Sequence, residues 1–192
     1  MGTDHPHPHE HERGPLADAS VRRARVSDAP AIGVVQATVF TEAYAAVLAP
    51  EVIALFEPVA FARAWRDSLE SPPEGAHALF VALAGAQVVG LAAVGPSQDA
   101  DDPGDAGEVT VIAVHAAARR QGHGSRLLNA GADHLRAAGA ASLAVWGPLH
   151  DEGTRQVLAG EGLAPDGAFR DRVVSPDGQV LREVRLACTL DP

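Results

Sequence analysis

The chain has 192 residues, 46% of them hydrophobic, and a formal net charge of −10 at pH 7. This length is enough for one domain with a buried core. The acidic balance argues against a nucleic-acid-binding surface and favours a cationic substrate such as a basic amine. No apolar run approaches the roughly 18 to 20 residues that cross a bilayer, and the N-terminal residues lack the regions of a signal peptide. We therefore expect a soluble, cytoplasmic protein that binds neither nucleic acid nor membrane.

Residues 1–19 are predicted to form a disordered arm. The arm contains four histidines interleaved with prolines and acidic residues: His5, His7, His9 and His11. Proline disfavours helix, and the segment has no apolar period. Clustered imidazoles can bind zinc or nickel, but ordering a mobile arm around a metal costs conformational entropy. The alternative, which we favour, is a flexible leader.

The first part of the domain is predicted to alternate short strands and helices. Alternating residues at 21–26 predict an edge strand, and Asp28 is a candidate N-cap for the helix that follows. Residues 41–57 are unusually apolar for a connection. They form either a further helix packed on the core or a wall of a substrate pocket. Residues 58–69 predict a helix with proline in its first turn.

The rest of the chain predicts strands with two intervening helices. Residues 78–84 and 88–94 are apolar runs joined by a tight turn, which indicates a hairpin of central strands. A solvated loop rich in Asp, Pro and Gly follows at 96–107. Residues 151–161 predict a short helix with Val157 and Leu158 directed inward. Further strands are predicted at 109–114, 142–146, 169–174 and 181–190. The single cysteine, Cys188, falls in the last of these and is expected to be a buried small hydrophobe.

A basic, glycine-containing turn lies between the strand at 109–114 and a helix that begins at Arg126. Its residues are Arg119, Arg120, Gln121, Gly122, His123, Gly124 and Ser125. Backbone N–H groups and the positive end of a helix dipole make such a turn an anion site. A dinucleotide fingerprint is excluded because its third glycine position holds Leu127, and a Walker motif is excluded because the chain has no lysine.

The pattern Arg119-x-x-Gly122-x-Gly124 after a strand ending at Val114 resembles the acetyl-CoA signature of the GCN5-related N-acetyltransferase (GNAT) superfamily, Q/R-x-x-G-x-G/A. The resemblance spans about residues 21–190. It implies a single α/β domain at residues 20–192, with about seven strands in a mostly antiparallel, partly parallel sheet and about four flanking helices. Homodimers are common among such proteins.

The resemblance also implies acetyl-CoA as cosubstrate. The pyrophosphate would lie on the turn formed by Arg119, Arg120, Gln121, Gly122, His123, Gly124 and Ser125. The pantetheine arm would bond the backbone of Ile112, Ala113 and Val114. The side chains of His115 and His123 flank the turn and could contact the cofactor, but exposure to solvent is the expected role for both.

Glu108 is the candidate general base. In superfamily members that use a glutamate base, that residue stands fourteen positions before the first motif glycine, and 108 + 14 = 122. Attack on the thioester needs a neutral amine, so a carboxylate that takes the proton directly or through water would supply the lone pair. A solvated glutamate at a strand end is the alternative. By the period of two, Glu108 should share a face with Thr110, Ile112 and Val114.

The usual general acid of the resembled family is missing. Where members have a tyrosine that protonates the departing thiolate, this chain has Leu158. Either no protein acid is needed, or another residue substitutes. His150, just after a strand, has a suitable side chain, although a loop histidine is usually solvated. Tyr44, the only tyrosine, is a second candidate.

Two functions of different kind remain open. The first is an acetyl-CoA-dependent N-acetyltransferase that moves the acetyl group to a small-molecule or peptide amine by direct attack in a ternary complex. The second is an acyl-CoA-binding sensor or regulatory module of the same fold with little catalysis, since a fold does not guarantee chemistry.

Overall fold

The computed structural model describes residues 19–102, 104–175 and 178–190. Apart from Ala19, which begins the first strand, the predicted arm and its histidines lie outside the described residues. The seven strands are β1 Ala19–Arg23, β2 Ala78–Ala84, β3 Gln87–Pro96, β4 Ala106–Val114, β5 Ser142–Pro148, β6 Ala164–Val173 and β7 Val180–Thr189. The α-helices are α1 Ala29–Tyr44, α2 Pro50–Ile53, α3 Pro58–Glu70, α4 His123–Ala137 and α5 Glu152–Gly160. None of these helices is long and apolar enough to cross a membrane.

The strands form one mixed sheet in the order β1-β2-β3-β4-β5-β7-β6. Strands β4 and β5 pair in parallel, and every other neighbouring pair is antiparallel. This confirms the predicted mixed α/β sheet of seven strands. Beyond the expected four helices there is α2, a single turn within the apolar segment that the sequence left open.

The two faces of the sheet are covered to different extents. The face toward α4 and α5 holds a large apolar cluster that includes Leu127, Leu143 and Leu186 and draws on strands across the sheet. The face toward α1 and α3 holds a smaller cluster, around Ile32 and Leu91, whose strand residues come from β2, β3 and β4. We call these the α4 face and the α1 face. On the α1 face, the described parts of β5, β7 and β6 contribute nothing to either apolar cluster, and we call this area the open face.

A cleft opens between β4 and β5. Their parallel pairing runs from Ala106–Ser142 to Val109–Val145 and then ends. Strand β4 continues to Val114 and β5 to Pro148 without pairing with each other. The β3–β4 register also shifts at this level, between Ala93 and Val94, so that Thr110 has no partner on β3 and forms a bulge.

Several local predictions need correction. Helix α4 begins at His123, three residues earlier than expected. Asp28 precedes α1 as predicted, but its side chain does not cap the helix. Its carboxylate instead accepts from the backbone N–H of Arg25 at 2.7 Å and from the guanidinium of Arg22 at 2.6 Å. Of the two α5 side chains expected to point inward, Leu158 is buried and Val157 is exposed.

Candidate functional site

The turn before α4 forms a concave anion site. Gly122 has a φ of 78°, a conformation that favours glycine. The first helical hydrogen bond runs from the N–H of Arg126 to the carbonyl of Gly122 at 3.1 Å, so the preceding N–H groups have no acceptor within the helix. A Cβ placed on Gly124 would have only Val114 within 4.0 Å and would project into open space above the turn. These free donors suit a phosphate.

Basic side chains hold the turn in place. Arg119 donates from Nε to the carbonyl of Val114 at 3.1 Å and pairs with Glu42 at 3.2 Å, which ties the turn to the end of β4 and to α1. Arg126 donates to the carbonyl of Gln121 at 3.0 Å and lies against Gly122. Arg120 takes a left-handed φ of 60°. Arg126 was not among the site residues predicted from the sequence, although its position one helical turn after Gly122 could have indicated it.

The two histidines beside the turn differ. The His115 ring accepts from the N–H of Ala117 at 3.3 Å and caps the short 3-10 turn there. His123 is only 1% exposed, and neither ring nitrogen has a hydrogen-bond partner among the residues that the structure describes. Burial, with a contribution from Arg126, lowers the pKa of His123 and favours the neutral ring. The expectation of a solvent-exposed His123 side chain is therefore wrong.

The backbone of β4 lines the cleft on one side. The N–H of His115 donates to the carbonyl of Val89 at 2.9 Å. Because such bonds alternate along an antiparallel pair, the backbone groups of Ala113 also face β3, and those of Ile112 and Val114 face the cleft. Of the three residues predicted to bond a pantetheine arm, Ile112 and Val114 are therefore the ones that direct backbone groups toward it.

Glu108 lies near the start of the cleft on the α1 face. A Cβ at Gly107 would collide with Leu135 of α4, so the next side chain points to the opposite face. Glu108 is 6% exposed. Burial raises the pKa of its carboxyl, which Arg170 opposes and the carboxylate of Asp99 reinforces. A buried carboxyl with a raised pKa is suited to proton transfer.

The bulge at Thr110 overturns one prediction about Glu108. Beyond the bulge, Val111 and Ala113 join the apolar cluster of the α1 face, and Ile112 and Val114 pack on that of the α4 face. Glu108 therefore does not share a face with Ile112 and Val114. The inserted residue shifts the period of two, which the sequence alone did not indicate.

The open face carries charged and aromatic side chains beside Glu108. The Arg170 guanidinium lies 4.4 Å from the centroid of the Trp146 ring. Its Nε donates to Glu183 at 2.6 Å, and Arg172 donates to the same carboxylate oxygen at 3.1 Å. Glu183 is 5% exposed and thus a buried carboxylate shared by two arginines.

A second ion-pair network borders this cluster. Arg185 binds Asp99, Asp101 and Asp166 at 3.1, 2.9 and 2.7 Å. The indole N–H of Trp146 donates to Asp99 at 3.0 Å. A pocket of about 390 Å³ lies here, between the β3–β4 loop and the irregular part of β6. None of these side chains was among the site residues predicted from the sequence, although arginines at alternate positions 170 and 172 indicate one polar strand face.

The segment after α1 forms a wall of the open face. Tyr44 at the end of α1 packs edge-to-face on Phe40 and Phe56. Burial raises the pKa of the Tyr44 hydroxyl, and the carboxylate of Glu183 raises it further. Residues 41–57 are thus partly helical, since α1 extends to Tyr44 and α2 spans Pro50–Ile53, and the wall of a substrate pocket stays a prediction.

Gln179 joins this wall to the β6–β7 hairpin. Its side-chain amide donates to the carbonyl of Val47 at 2.5 Å and accepts from the N–H of Ala49 at 3.3 Å. Both amide groups are used, so the contact fixes the hairpin tip against the loop between α1 and α2. The open face is therefore enclosed on this side.

The candidate proton donors occupy different environments. His150 lies exposed in the turn between β5 and α5, and its side chain makes no hydrogen bond within the described part of the chain. Leu158 is 2% exposed and belongs to the α4-face core. Asp151 caps α5 by accepting from the N–H of Thr154 at 2.9 Å.

A turn with open backbone N–H groups, a cleft between parallel strands and a buried carboxyl at its start together form a candidate site for a long, phosphate-bearing substrate. The sequence model of the Acetyltransferase (GNAT) family matches residues 41–156. The chain belongs to this family, as its signature indicated. No curated protein matches the sequence.

Solved structures of acetyltransferases share the fold. yncA from Salmonella typhimurium, with acetyl-CoA bound, has 17% identity and a TM-score of 0.65 over 90% of this chain and 94% of its own. The PaiA N-acetyltransferase of Thermoplasma acidophilum, with coenzyme A, has 11% identity and a TM-score of 0.68 over 87% and 98%. Ribosomal-protein-alanine N-acetyltransferase of Brucella melitensis has 18% identity and a TM-score of 0.65 over 89% and 99%. At these identities the likeness establishes the fold.

Proposed function

We propose that the protein transfers the acetyl group of acetyl-CoA to a primary amine by direct attack in a ternary complex. One observation carries this proposal: the cleft between β4 and β5 has buried Glu108 at its near end and, at its far end, the turn of residues 119–125, which we call the phosphate turn. A long thioester bound in the cleft by its phosphates would present its acyl group to the open face. The acetyl-CoA and CoA complexes of the related folds support this choice of cosubstrate.

The chain's own residues would bind and align the cosubstrate. Backbone N–H groups at Gly122, His123, Gly124 and Ser125, with Arg119, Arg120 and Gln121 beside them, would receive the pyrophosphate. Ile112 and Val114 would bond the pantetheine arm like an added strand. Each exposed dipole or charge contributes only about 0.3 to 1 kcal/mol, so affinity would require several donors together.

Glu108 would act as the base. The neutral amine nitrogen forms a bond to the carbonyl carbon, the C–S bond breaks with its electron pair on the thiolate, and the nitrogen loses its extra proton to water as the amide forms. Glu108 takes the ammonium proton directly or through water before attack. A backbone N–H of β4 in the cleft, near Val114, would polarise the carbonyl oxygen.

The proton on the leaving thiol has three possible sources. It could come from His150, from Tyr44 or from solvent, since a thiolate leaves without an obligatory acid. His150 is exposed in the turn after β5, whereas Tyr44 lies at the end of α1 and burial raises the pKa of its hydroxyl. A Tyr44→Phe variant with unchanged rate would assign the proton to solvent or His150.

The second candidate function is acyl-CoA sensing without efficient transfer. It is supported by buried Leu158, which fills the position of the family's usual acid. Such a module would bind CoA with the same turn and cleft, and Glu108→Gln would leave that binding unchanged. Homodimerisation and a cytoplasmic location stay predictions.

The two functions separate in one experiment. Purified protein is mixed with acetyl-CoA and a panel of polyamines, aminoglycosides, amino acids and peptides, and free thiol is followed. Acetyl transfer predicts thiol release that depends on the acceptor and on Glu108. CoA binding by calorimetry without release for any acceptor would contradict transfer and favour the sensor.

A further inference from the structure

The open face carries a cluster of opposite charges. Three arginines, Arg170, Arg172 and Arg185, pair there with four carboxylates, those of Asp99, Asp101, Asp166 and Glu183. Because exposed charges beyond about 8 Å are largely screened at physiological ionic strength, these local charges decide what the face can bind. The three arginines differ in how completely they are paired.

Two of the three arginines are held by several partners. Arg185 is 17% exposed and binds three aspartates, so its end of the cluster has an excess of carboxylates. Arg170 is 31% exposed and is held by the Trp146 ring at 4.4 Å, by Glu183 at 2.6 Å and by Asp99 at 3.8 Å. Both guanidiniums are therefore more constrained than that of Arg172.

Arg172 differs from both. Its side chain is 54% exposed, and its guanidinium makes one hydrogen bond within the described ranges, to the Glu183 oxygen that Arg170 already occupies. Two guanidiniums thus share one carboxylate oxygen, and Arg172, unlike Arg170, has no second carboxylate within ion-pair distance among the described residues. Of the five N–H donors of an arginine, most remain open here.

The position of Arg172 connects it to the proposed reaction centre. Arg172 shares the Glu183 carboxylate with Arg170, whose guanidinium lies over the Trp146 ring, and Trp146 stands two residues after Ala144, the β5 partner of Glu108. Arg172 and Glu108 therefore lie on the same face of the sheet. This face therefore has a carboxylate at one end, able to accept from an ammonium, and an open guanidinium at the other. A guanidinium fork matches a carboxylate in geometry as well as in charge.

We propose that the acceptor is an amine that also carries a carboxylate, an amino acid being the simplest example, and that Arg172 binds this carboxylate while the amine lies at Glu108. The proposal rests on the proposed acetyl transfer and specifies its substrate class. An acceptor with a second ammonium in place of the carboxylate would meet the like charge of the Arg172 guanidinium and be disfavoured.

The test compares acids with their amides. The twenty L-amino acids and the matched L-amino acid amides are assayed with acetyl-CoA for thiol release, and their binding to CoA-loaded protein is measured by calorimetry. An arginine–carboxylate contact contributes about 1.5 to 3 kcal/mol, or about 10- to 150-fold in affinity. We expect at least one acid to bind and react about tenfold or more better than its amide.

Variants assign that preference to Arg172. Arg172→Ala should raise KM for the acid about tenfold or more, with kcat, the reaction of the amide and CoA affinity little changed. Arg172→Lys should recover part of the loss because it keeps the charge and loses the fork. Arg182→Ala is the matched control, because Arg182 is 51% exposed on the same hairpin, pairs with Asp171 and belongs to the α4 face. It should change none of these quantities.

The outcomes separate this inference from the function on which it rests. If no acid in the panel binds or reacts better than its amide, or if Arg172→Ala weakens acid and amide equally, the assignment is wrong even when transfer occurs. A different result is that acids bind better than their amides, that Arg172→Ala removes this preference, and that no acceptor gives thiol release. That result would support the carboxylate site and contradict acetyl transfer.

Discussion

Glu108→Gln tests the proposed base most directly, because glutamine preserves the shape of the side chain and removes its ability to take a proton. An aliphatic amine with a pKa of about 10.4 is neutral to only about one part in 10³ at pH 7.4. Without a base, the enzyme would depend on that fraction. We therefore expect a loss in kcat/KM of about 10²- to 10³-fold, or about 3 to 4 kcal/mol in activation free energy.

The pH dependence of this loss distinguishes a base from a structural glutamate. The deficit of Glu108→Gln should shrink about tenfold for each pH unit toward the pKa of the amine, since solvent then supplies the neutral form. Thiol release is followed from pH 6 to 9.5, with CoA affinity measured on both proteins as the control for folding. A variant within twofold of wild type at pH 7.4, or a deficit that is constant with pH, would refute the role of Glu108 as the base.

The same variant should also change stability in a defined direction. Folding raises the pKa of Glu108 because the site is buried. Between the unfolded and folded pKa values of Glu108, the native state binds more protons than the unfolded state. The free energy of unfolding therefore falls as pH rises through this range, and the destabilisation by Glu108 is complete above its folded pKa. Glu108→Gln should therefore melt at a higher temperature than wild type at pH 8, and the difference should vanish below about pH 4.

Three further predictions concern the fold and the phosphate turn. Gly122→Ala should weaken CoA binding, measured by calorimetry, about tenfold because the φ of 78° at this position is strained for alanine. The control is Gly139→Ala, which has a similar φ of 92° at the other end of α4 and should leave CoA affinity unchanged. Gly33→Ala should lower the free energy of unfolding, measured in urea, by about 1 to 3 kcal/mol because its Cβ would lie 2.3 Å from a backbone oxygen of α3. The control is Gly160→Ala, whose Cβ would have no atom within 4 Å and which should be neutral or stabilising. Asp28→Asn should lower the free energy of unfolding by about 1 to 3 kcal/mol at pH 7, because hydrogen bonding to Arg22 lowers the pKa of Asp28 and stabilises its charged form. This difference in stability should disappear as pH falls below about 4, and a difference that is constant with pH would contradict the prediction.

Local sequence patterns were sufficient to predict most helices and strands and the phosphate turn. Alternating and apolar runs placed all seven strands, since each is short and bounded by turn residues. The turn at residues 119–125 was predictable because its chemistry is carried by consecutive residues. Its glycines, its arginines and the start of α4 belong to one segment, so no knowledge of tertiary pairing was needed.

The acceptor side could not be predicted in the same way because its residues meet only through strand pairing. Glu183 faces Arg170 across β6 and β7, and Trp146 faces Arg185 across β5 and β7. The order β5-β7-β6 brings these strands together, and no local pattern specifies that order. The bulge at Thr110 is a second example, because one inserted residue reversed the face assigned to Ile112 and Val114.

The charge of the whole chain and the charge of the site lead to different expectations about the acceptor. A net charge of −10 favours encounter with cations, and that argument led to a basic amine. Encounter and recognition act over different distances, however, and the open guanidinium of Arg172 acts at contact. A zwitterionic acceptor satisfies both, because its ammonium is drawn toward Glu108 and its carboxylate matches Arg172. The unequal cover of the sheet makes this possible, since α1 and α3 bury the α1 face of β2 to β4 and leave β5, β7 and β6 free to carry charge.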